Sequence, residues 1–241
     1  MGKIISVATQ KGGAGKSALT MLLASALAVT YDLRVLVVEA DSQKTISDRR
    51  TEQDQPWLDE LRTANPEADF PYPIVYQPMA KVFDYLDSVE GEYDVAFVDM
   101  AGRADNTTMI EVLSGCDIIL VPLLSDLGER QSTISFLHVL AGIKQRYEER
   151  NLPFEFYGVA NKRTRAKEEE ELDKMIEEYQ IPRLNASLSE RAIFKRASTL
   201  YSHLEPSFLR WRGGEKTAAN ELRTLCDELI ARTGLKAESA A

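Results

Sequence analysis

The sequence predicts an α/β fold, a mostly parallel twisted sheet with helices on both faces. Three observations lead there. The strand-like runs are apolar at consecutive positions, so they are buried on both sides. They alternate along the chain with segments of helical period. The first of them leads straight into a glycine-rich turn and an Ala/Leu-rich helix, the order that a phosphate-binding unit requires.

The elements follow in order. Residues 3–9 (KIISVAT) are β-branched and apolar, a strand bounded by the glycine-rich turn. Residues 17–29 are apolar on most faces and read as a buried helix. Residues 34–39 (RVLVVE) form a strand that runs into the acidic cluster EAD. A short strand is expected over 73–76 and a helix over 79–89. Residues 93–98 (YDVAFV) are another apolar strand, closed by Asp99. A helix-like stretch at 107–113 precedes the strand 117–121 (DIILV). Beyond it come a helix over 134–147, a strand over 154–160 and a charged helix over 166–179 with Leu172 and Ile176 on one face. A final helix runs from about 217 to 231.

Composition bounds the function. A chain of 241 residues suits one domain over 1–241, with a frayed tail at 235–241, and hides roughly 70% of its unfolded surface. The net charge of −9 argues against a surface that coats nucleic acid generally, though it leaves room for a local basic patch. The N-terminus lacks the apolar core of a secretory leader, and no apolar run approaches the roughly 18 residues of a membrane helix. Cys116 and Cys226 are far apart and form no C-x-x-C pair, which fits a reduced cytoplasm without disulfides or zinc. His138 lies in an apolar helix, His203 has no metal-ligand company, and Trp57 and Trp211 read as packing residues.

Three strand ends carry the chemistry, as expected where ligands bind at the carboxyl ends of a parallel sheet. The first is ATQKGGAGKSALT, residues 8–20. Against the pattern G-x-x-x-x-G-K-[ST], Gln10 stands in place of the first glycine, and a second lysine, Lys11, precedes Gly12 and Gly13. Gly12, Gly13 and Gly15, with Ala14 between them, let backbone N–H groups turn inward around phosphates. Lys16 reaches the β/γ-phosphates, and Ser17, with Ala18, opens a helix whose dipole favours anions while its hydroxyl ligates Mg²⁺. The second is Asp99, which forms D-x-x-G with Gly102, the pattern of a γ-phosphate-sensing turn whose acid partners Mg²⁺. A lone strand-end aspartate is more commonly a helix cap, and the loop before it shifts that balance. The third is Glu39-Ala40-Asp41-Ser42-Gln43. An acid there orients an attacking water or holds magnesium through water, with Glu39 in support; the plainer alternative is a cap or turn acid.

K-G-G-A-G-K-S with its leading lysine resembles the deviant phosphate loop of the ParA/MinD ATPases, in particular the short partition type. Further segments resemble that family in the same order. These are EADSQ, where the family has D-x-D-P-Q, then YDVAFVDMAG, VPLLSDL and VANKR. Glu39 and Ser42 depart from the pattern, standing where the family has aspartate and proline. The resemblance implies a P-loop NTPase that takes ATP and Mg²⁺ and forms a homodimer on binding ATP. It implies that Lys11 reaches across the dimer to the partner's ATP, a cation supplied in trans to the transferring phosphate. It further implies that Asp41 is the acid of the hydrolytic step and a metal partner, and that Asn161 contacts adenine.

Partition ATPases of this type bind non-specific DNA, are stimulated by a ParB-like adaptor, and work in the cytoplasm on the nucleoid. Candidate phosphate contacts are Arg191, Lys195 and Arg196, at near-helical spacing within residues 187–197. Arg210, Arg212 and Lys216 in FLRWRGGEK extend the set. Only Met1 and Gly2 precede the first strand, which argues against sequence-specific autorepression. A membrane-binding MinD-like regulator would need a basic, bulky amphipathic end, and LIARTGLKAESAA is short and alanine-rich. An ATP-dependent synthetase would need a further constellation for its substrate, and none is visible.

Overall fold

The computed structural model describes residues 2–102, 106–124, 130–163, 168–205 and 216–236. Its strands are β1 (Lys3–Val7), β2 (Val35–Glu39), β3 (Ile74–Tyr76), β4 (Val95–Asp99), β5 (Ile118–Leu123), β6 (Glu155–Arg163) and β7 (Arg183–Ser189). Its helices are α1 (Lys16–Val29), α2 (Thr45–Arg49), α3 (Gln55–Ala64), α4 (Val82–Ser88), α5 (Asn106–Gly115), α6 (Arg130–Glu148), α7 (Glu168–Glu178) and α8 (Lys216–Thr233). A π-helical turn, Arg50–Asp54, joins α2 to α3, and 3₁₀ turns occupy Met79–Lys81 and Phe194–Arg196.

The strands form one parallel sheet in the order β3-β2-β4-β1-β5-β6-β7. From β1 the chain first builds outward on one side and then on the other, so the direction reverses beside β1 and a crevice opens at the strands' carboxyl ends. Successive strand residues face opposite layers. Ile5, Val7, Val37, Phe97 and Leu120 pack with α1 and α8, while Ile4, Leu36, Val98, Ile119 and Val121 pack with α4 to α7. This two-sided burial is why the runs read as continuously apolar. Most residues of α1 are buried, as its composition requires.

Two regions differ from the sequence expectation. Residues 45–64, to which no element was assigned above, fold as α2, the π turn and α3. Residues 187–197 are not near-helical: they finish β7 and continue into a single 3₁₀ turn. Alternating burial of Leu184, Ala186 and Leu188 marks β7 as a half-buried edge strand. Carboxylates of α8 hold its amides: Glu228 accepts from Asn185 N at 3.0 Å and Ala186 N at 2.9 Å, and Glu221 from Ser189 N at 2.9 Å. A sheet edge satisfied in this way is closed to strand addition. Leu235, expected in the frayed tail, packs against the core instead, and residues 237–241 lie outside the described residues.

Beyond the 3₁₀ turn the chain is pinned by a buried polar network. Asp54 is fully buried and accepts from Thr199 N at 2.6 Å, Thr199 Oγ1 at 2.8 Å and Ser198 Oγ at 3.1 Å. Arg50 donates to Thr199 Oγ1 and the Tyr72 carbonyl and covers the rings of Phe70 and Tyr72. Nearby, the buried His203 pairs through Nε2 with the Ile193 carbonyl at 3.1 Å. Burial, opposed by that carbonyl and reinforced by Arg49, lowers its pKa to about 4. The unfolded chain therefore binds a proton that the fold refuses between the ordinary histidine value and about pH 4, and stability falls as pH drops through that window. The full window is worth about 3 kcal/mol. His203→Gln should flatten the acid limb of a melting-temperature profile between pH 6.5 and 4; an unchanged limb would assign acid lability elsewhere.

Candidate functional site

The register of the sheet assembles the site. Val7 of β1 and Glu39 of β2 are both paired with Asp99 of β4, so three strand ends finish at one level. The loop from Ala8 to Gly15 turns over this level into α1. Gly13 (φ +74°) and Gly15 (φ +89°) take left-handed backbone, which glycine adopts without strain. Ala14 is buried beneath them, Gly12 is exposed, and Ala18 faces an adjoining cavity.

Ser17 Oγ donates to Asp99 Oδ2 at 2.8 Å. Asp99 is buried, and its Oδ1 has no hydrogen-bond partner among the described residues. Burial is the main cause that raises the Asp99 pKa to about 7; Glu39 and Asp41 add to the rise, while Ser17 and Lys16 oppose it. An orphaned carboxylate oxygen beside a serine hydroxyl fits Mg²⁺, which takes one or two carboxylates and leaves its other positions to water and phosphate. Among the described residues there is no group of three or more His, Cys, Asp or Glu that could hold a metal.

Lys16 Nζ donates to the Lys11 carbonyl at 3.2 Å. Burial lowers the Lys16 pKa, against the pull of Asp99 and Asp41. Gly102 closes this corner: a Cβ there would lie 3.0 Å from Lys16 Nζ and 3.2 Å from the Thr9 carbonyl, a tight fit that would push on the lysine and the loop. Asp41 is half-buried and folds back, accepting from Gln43 N at 2.9 Å in an Asx turn. Lys11 is half-buried at the loop's mouth.

Glu39 has a role that its place in the sequence did not reveal. Fully buried, it accepts from Ile46 N at 2.7 Å, Ser47 N at 3.1 Å and Ser47 Oγ. It thereby caps the start of α2 from the neighbouring strand, satisfying amides that a helix cannot satisfy itself. An aspartate at this position has an arm one methylene shorter.

Asn161, at the end of β6, meets the loop. Its Nδ2 donates to the Ala14 carbonyl at 3.1 Å, and its Oδ1 accepts from Lys162 N. The adjoining cavity, about 320 Å³, lies between α1 and the ends of β6 and β7. Leu19, Leu22, Leu188 and Phe194 give it apolar walls, and Asn161, Arg191 and Lys195 are among its polar lining.

Residues 5–200 match the family described as the CobQ/CobB/MinD/ParA nucleotide binding domain. The chain belongs to that family. Within this ParA/MinD-type family it is 25% identical over 229 residues to maintenance of carboxysome distribution protein A of Halothiobacillus neapolitanus, covering 94% of this chain and 95% of that one. Its fold is shared with Pyrococcus horikoshii MinD solved with Mg-ADP (TM-score 0.67, 17% identity, 99% of this chain and 100% of that one). It is shared equally with an ATP complex of Cyanothece McdA (TM-score 0.67, 15% identity, 98% and 97%).

Of the basic residues singled out in this ParA/MinD-type chain, two already meet carboxylates. Arg191 is ion-paired with Glu221 at 3.3 Å, bridging β7's end to α8, and Lys195 with Glu190 at 3.1 Å. Arg196 is exposed at the end of the 3₁₀ turn, and Lys216 is exposed at the start of α8. Arg210 and Arg212 lie outside the described residues, as do residues 125–127 of VPLLSDL.

The buried Asp99 allows a test. Because its native pKa lies above its ordinary value, the folded chain holds a proton that the unfolded chain has lost, and stability falls as pH rises through that window. In chelator, Asp99→Asn should raise the melting temperature more at pH 8 than at pH 5, by roughly 5 °C. Equal gains at both pH values would show that the carboxyl is not shifted.

Proposed function

We propose that this chain is an ATP-hydrolysing homodimer, switched by its nucleotide, that binds non-specific DNA and positions or partitions a cargo over it. The observation that carries the reading is the two-lysine loop set against the Ser17–Asp99 pair, with Asp41 close enough to act on Lys16. The relative named for carboxysome distribution supports the positioning part. ATP and Mg²⁺ are the cofactors this arrangement suits.

In this reading Lys16 leaves the Lys11 carbonyl for the β/γ-phosphates of the chain's own ATP. Ser17 and Asp99 would hold magnesium, which would supply positive charge to the phosphoryl oxygens. The cavity takes the adenine, with Asn161 at its edge. Asp41 leaves its turn to orient the attacking water, and Gly102 lets the γ-phosphate bear on the D-x-x-G turn. Lys11 serves the partner's ATP, as an arginine finger does in other phosphoryl transfers. Hydrolysis then requires the dimer, which explains why one lysine does not suffice. A ParB-like adaptor is the stimulating partner, and the site of action is the cytoplasm, on the nucleoid.

Arg196 and Lys216 are the best-placed described contacts for DNA phosphates, with Arg210 and Arg212 as further candidates. Arg191 and Lys195 contribute less, because each already meets a carboxylate. Dimerisation doubles every contact and steepens the salt dependence. Among the described residues no helix is long and apolar enough to cross a membrane.

Two measurements test the reading. Lys11→Ala should retain ATP binding while losing stimulated turnover, on the order of 10³-fold if the lysine acts as such fingers do; undiminished turnover would end the trans assignment. DNA retention titrated with ATP, ADP and no nucleotide at two salt concentrations should be ATP-specific and salt-sensitive, and Arg196→Glu should abolish most of it. Retention on lipid vesicles alone would favour a membrane surface instead.

A further inference from the structure

Two neighbouring side chains at the end of β6 hold two consecutive carbonyls of the phosphate loop. Lys162 Nζ donates to the Gly13 carbonyl at 2.8 Å, and Asn161 Nδ2 donates to the Ala14 carbonyl at 3.1 Å. Among the described residues every peptide bond is trans. In a trans peptide the carbonyl and the following N–H point in opposite directions. Holding the carbonyls of Gly13 and Ala14 toward β6 therefore turns the N–H groups of Ala14 and Gly15 away from it. Those are donors of the kind that a phosphate loop offers to its anion.

The clip is itself held in place. Lys162 has a left-handed backbone (φ +55°), which a residue with a side chain rarely adopts. Its own N–H is tied to Asn161 Oδ1 at 3.0 Å, so the two side chains are set as a unit. Contact with the loop is tight, because a Cβ on Gly15 would stand 3.0 Å from Asn161 Nδ2 and 3.6 Å from Lys162 Cε. Strained backbone that the surroundings over-determine clusters where geometry serves function. The bond from Lys162 is also charge-assisted, and so stronger than one between neutral groups.

We propose that Lys162 is a positioning residue for phosphate recognition. With Asn161 it presets the Ala14 and Gly15 N–H groups for the phosphates of a bound nucleotide, and its ammonium adds positive charge to that side of the loop. The inference rests on the nucleotide-binding reading above. It assigns to a residue 149 positions from Gly13 a part that the loop motif does not contain.

The test uses the full chain and the variants Lys162→Met, which keeps the apolar stem, and Lys162→Arg, which keeps charge and donors. Mg-ATP affinity, adenosine affinity by competition with a fluorescent ATP analogue, KM, kcat and the nucleotide-free melting temperature are measured for each. Lys162→Met should weaken ATP about tenfold and raise KM more than it lowers kcat, with adenosine affinity and melting temperature unmoved. Lys162→Arg should restore most of the loss. ATP affinity within twofold of wild type in Lys162→Met would overturn the proposal. So would a parallel loss of adenosine, which assigns Lys162 to the base cavity, or a fall in melting temperature that Lys162→Arg does not rescue. A wild-type chain that binds no ATP would instead refute the nucleotide-binding reading itself.

Discussion

Three carboxylates crowd the end of the sheet, and much of the site is arranged around the cost of keeping them there. Register places Glu39 and Asp99 side by side, and Asp41 follows two residues beyond the strand. Buried carboxylates in a medium of low dielectric destabilise one another unless each finds a donor or a proton. Glu39 is answered by the amides and hydroxyl that begin α2. Asp41 is answered by its own turn. Asp99 is answered in part, by Ser17 and Lys16, and keeps one oxygen without a partner. The shortfall at Asp99 is what a divalent cation would make good, and a cation held there would in turn favour polyphosphate.

The loop above this cluster is braced on two sides. Gly102 lets the turn after β4 close against Lys16 and the carbonyls of Thr9 and Lys11. From the opposite flank, Asn161 and Lys162 hold the carbonyls of Gly13 and Ala14. Lys16 meanwhile rests on the Lys11 carbonyl, so its ammonium is hydrogen-bonded before any ligand arrives. A loop backbone braced on both flanks has less to reorganise on binding, which is a usual source of affinity in preformed sites.

Below the site, a chain of hydrogen bonds ties its surroundings together. Glu39 caps α2, α2 continues through the π turn to Asp54, and Asp54 holds Ser198 and Thr199, two and three residues after Arg196. A buried carboxylate is tolerated there because it is saturated with donors and faces Arg50. The basic turn proposed to meet DNA is thus anchored to the segment that follows the acidic cluster.

Much of this was legible in the sequence. Continuous apolar runs announced strands buried on both faces, and the glycine-rich loop and the Asp99–Gly102 turn were each visible at a strand end, because such short patterns are local. Three matters were decided only by the tertiary structure. Glu39 became a helix cap because the chain folds back within seven residues of β2's end to start α2, a turn that the acidic cluster EAD does not announce. Residues 185–189 became part of an edge strand whose amides at 185, 186 and 189 are satisfied by Glu228 and Glu221 of α8, so the near-helical spacing of Arg191, Lys195 and Arg196 had no helix to express it. Lys162 came to the loop because β6 lies beside β5, which lies beside β1, and β1 leads into that loop. The sequence alone determined the two-lysine loop and the acids at the strand ends; the packing of the sheet decided which carbonyls and carboxylates stand beside them, since long-range hydrogen bonds are set by topology rather than by local period.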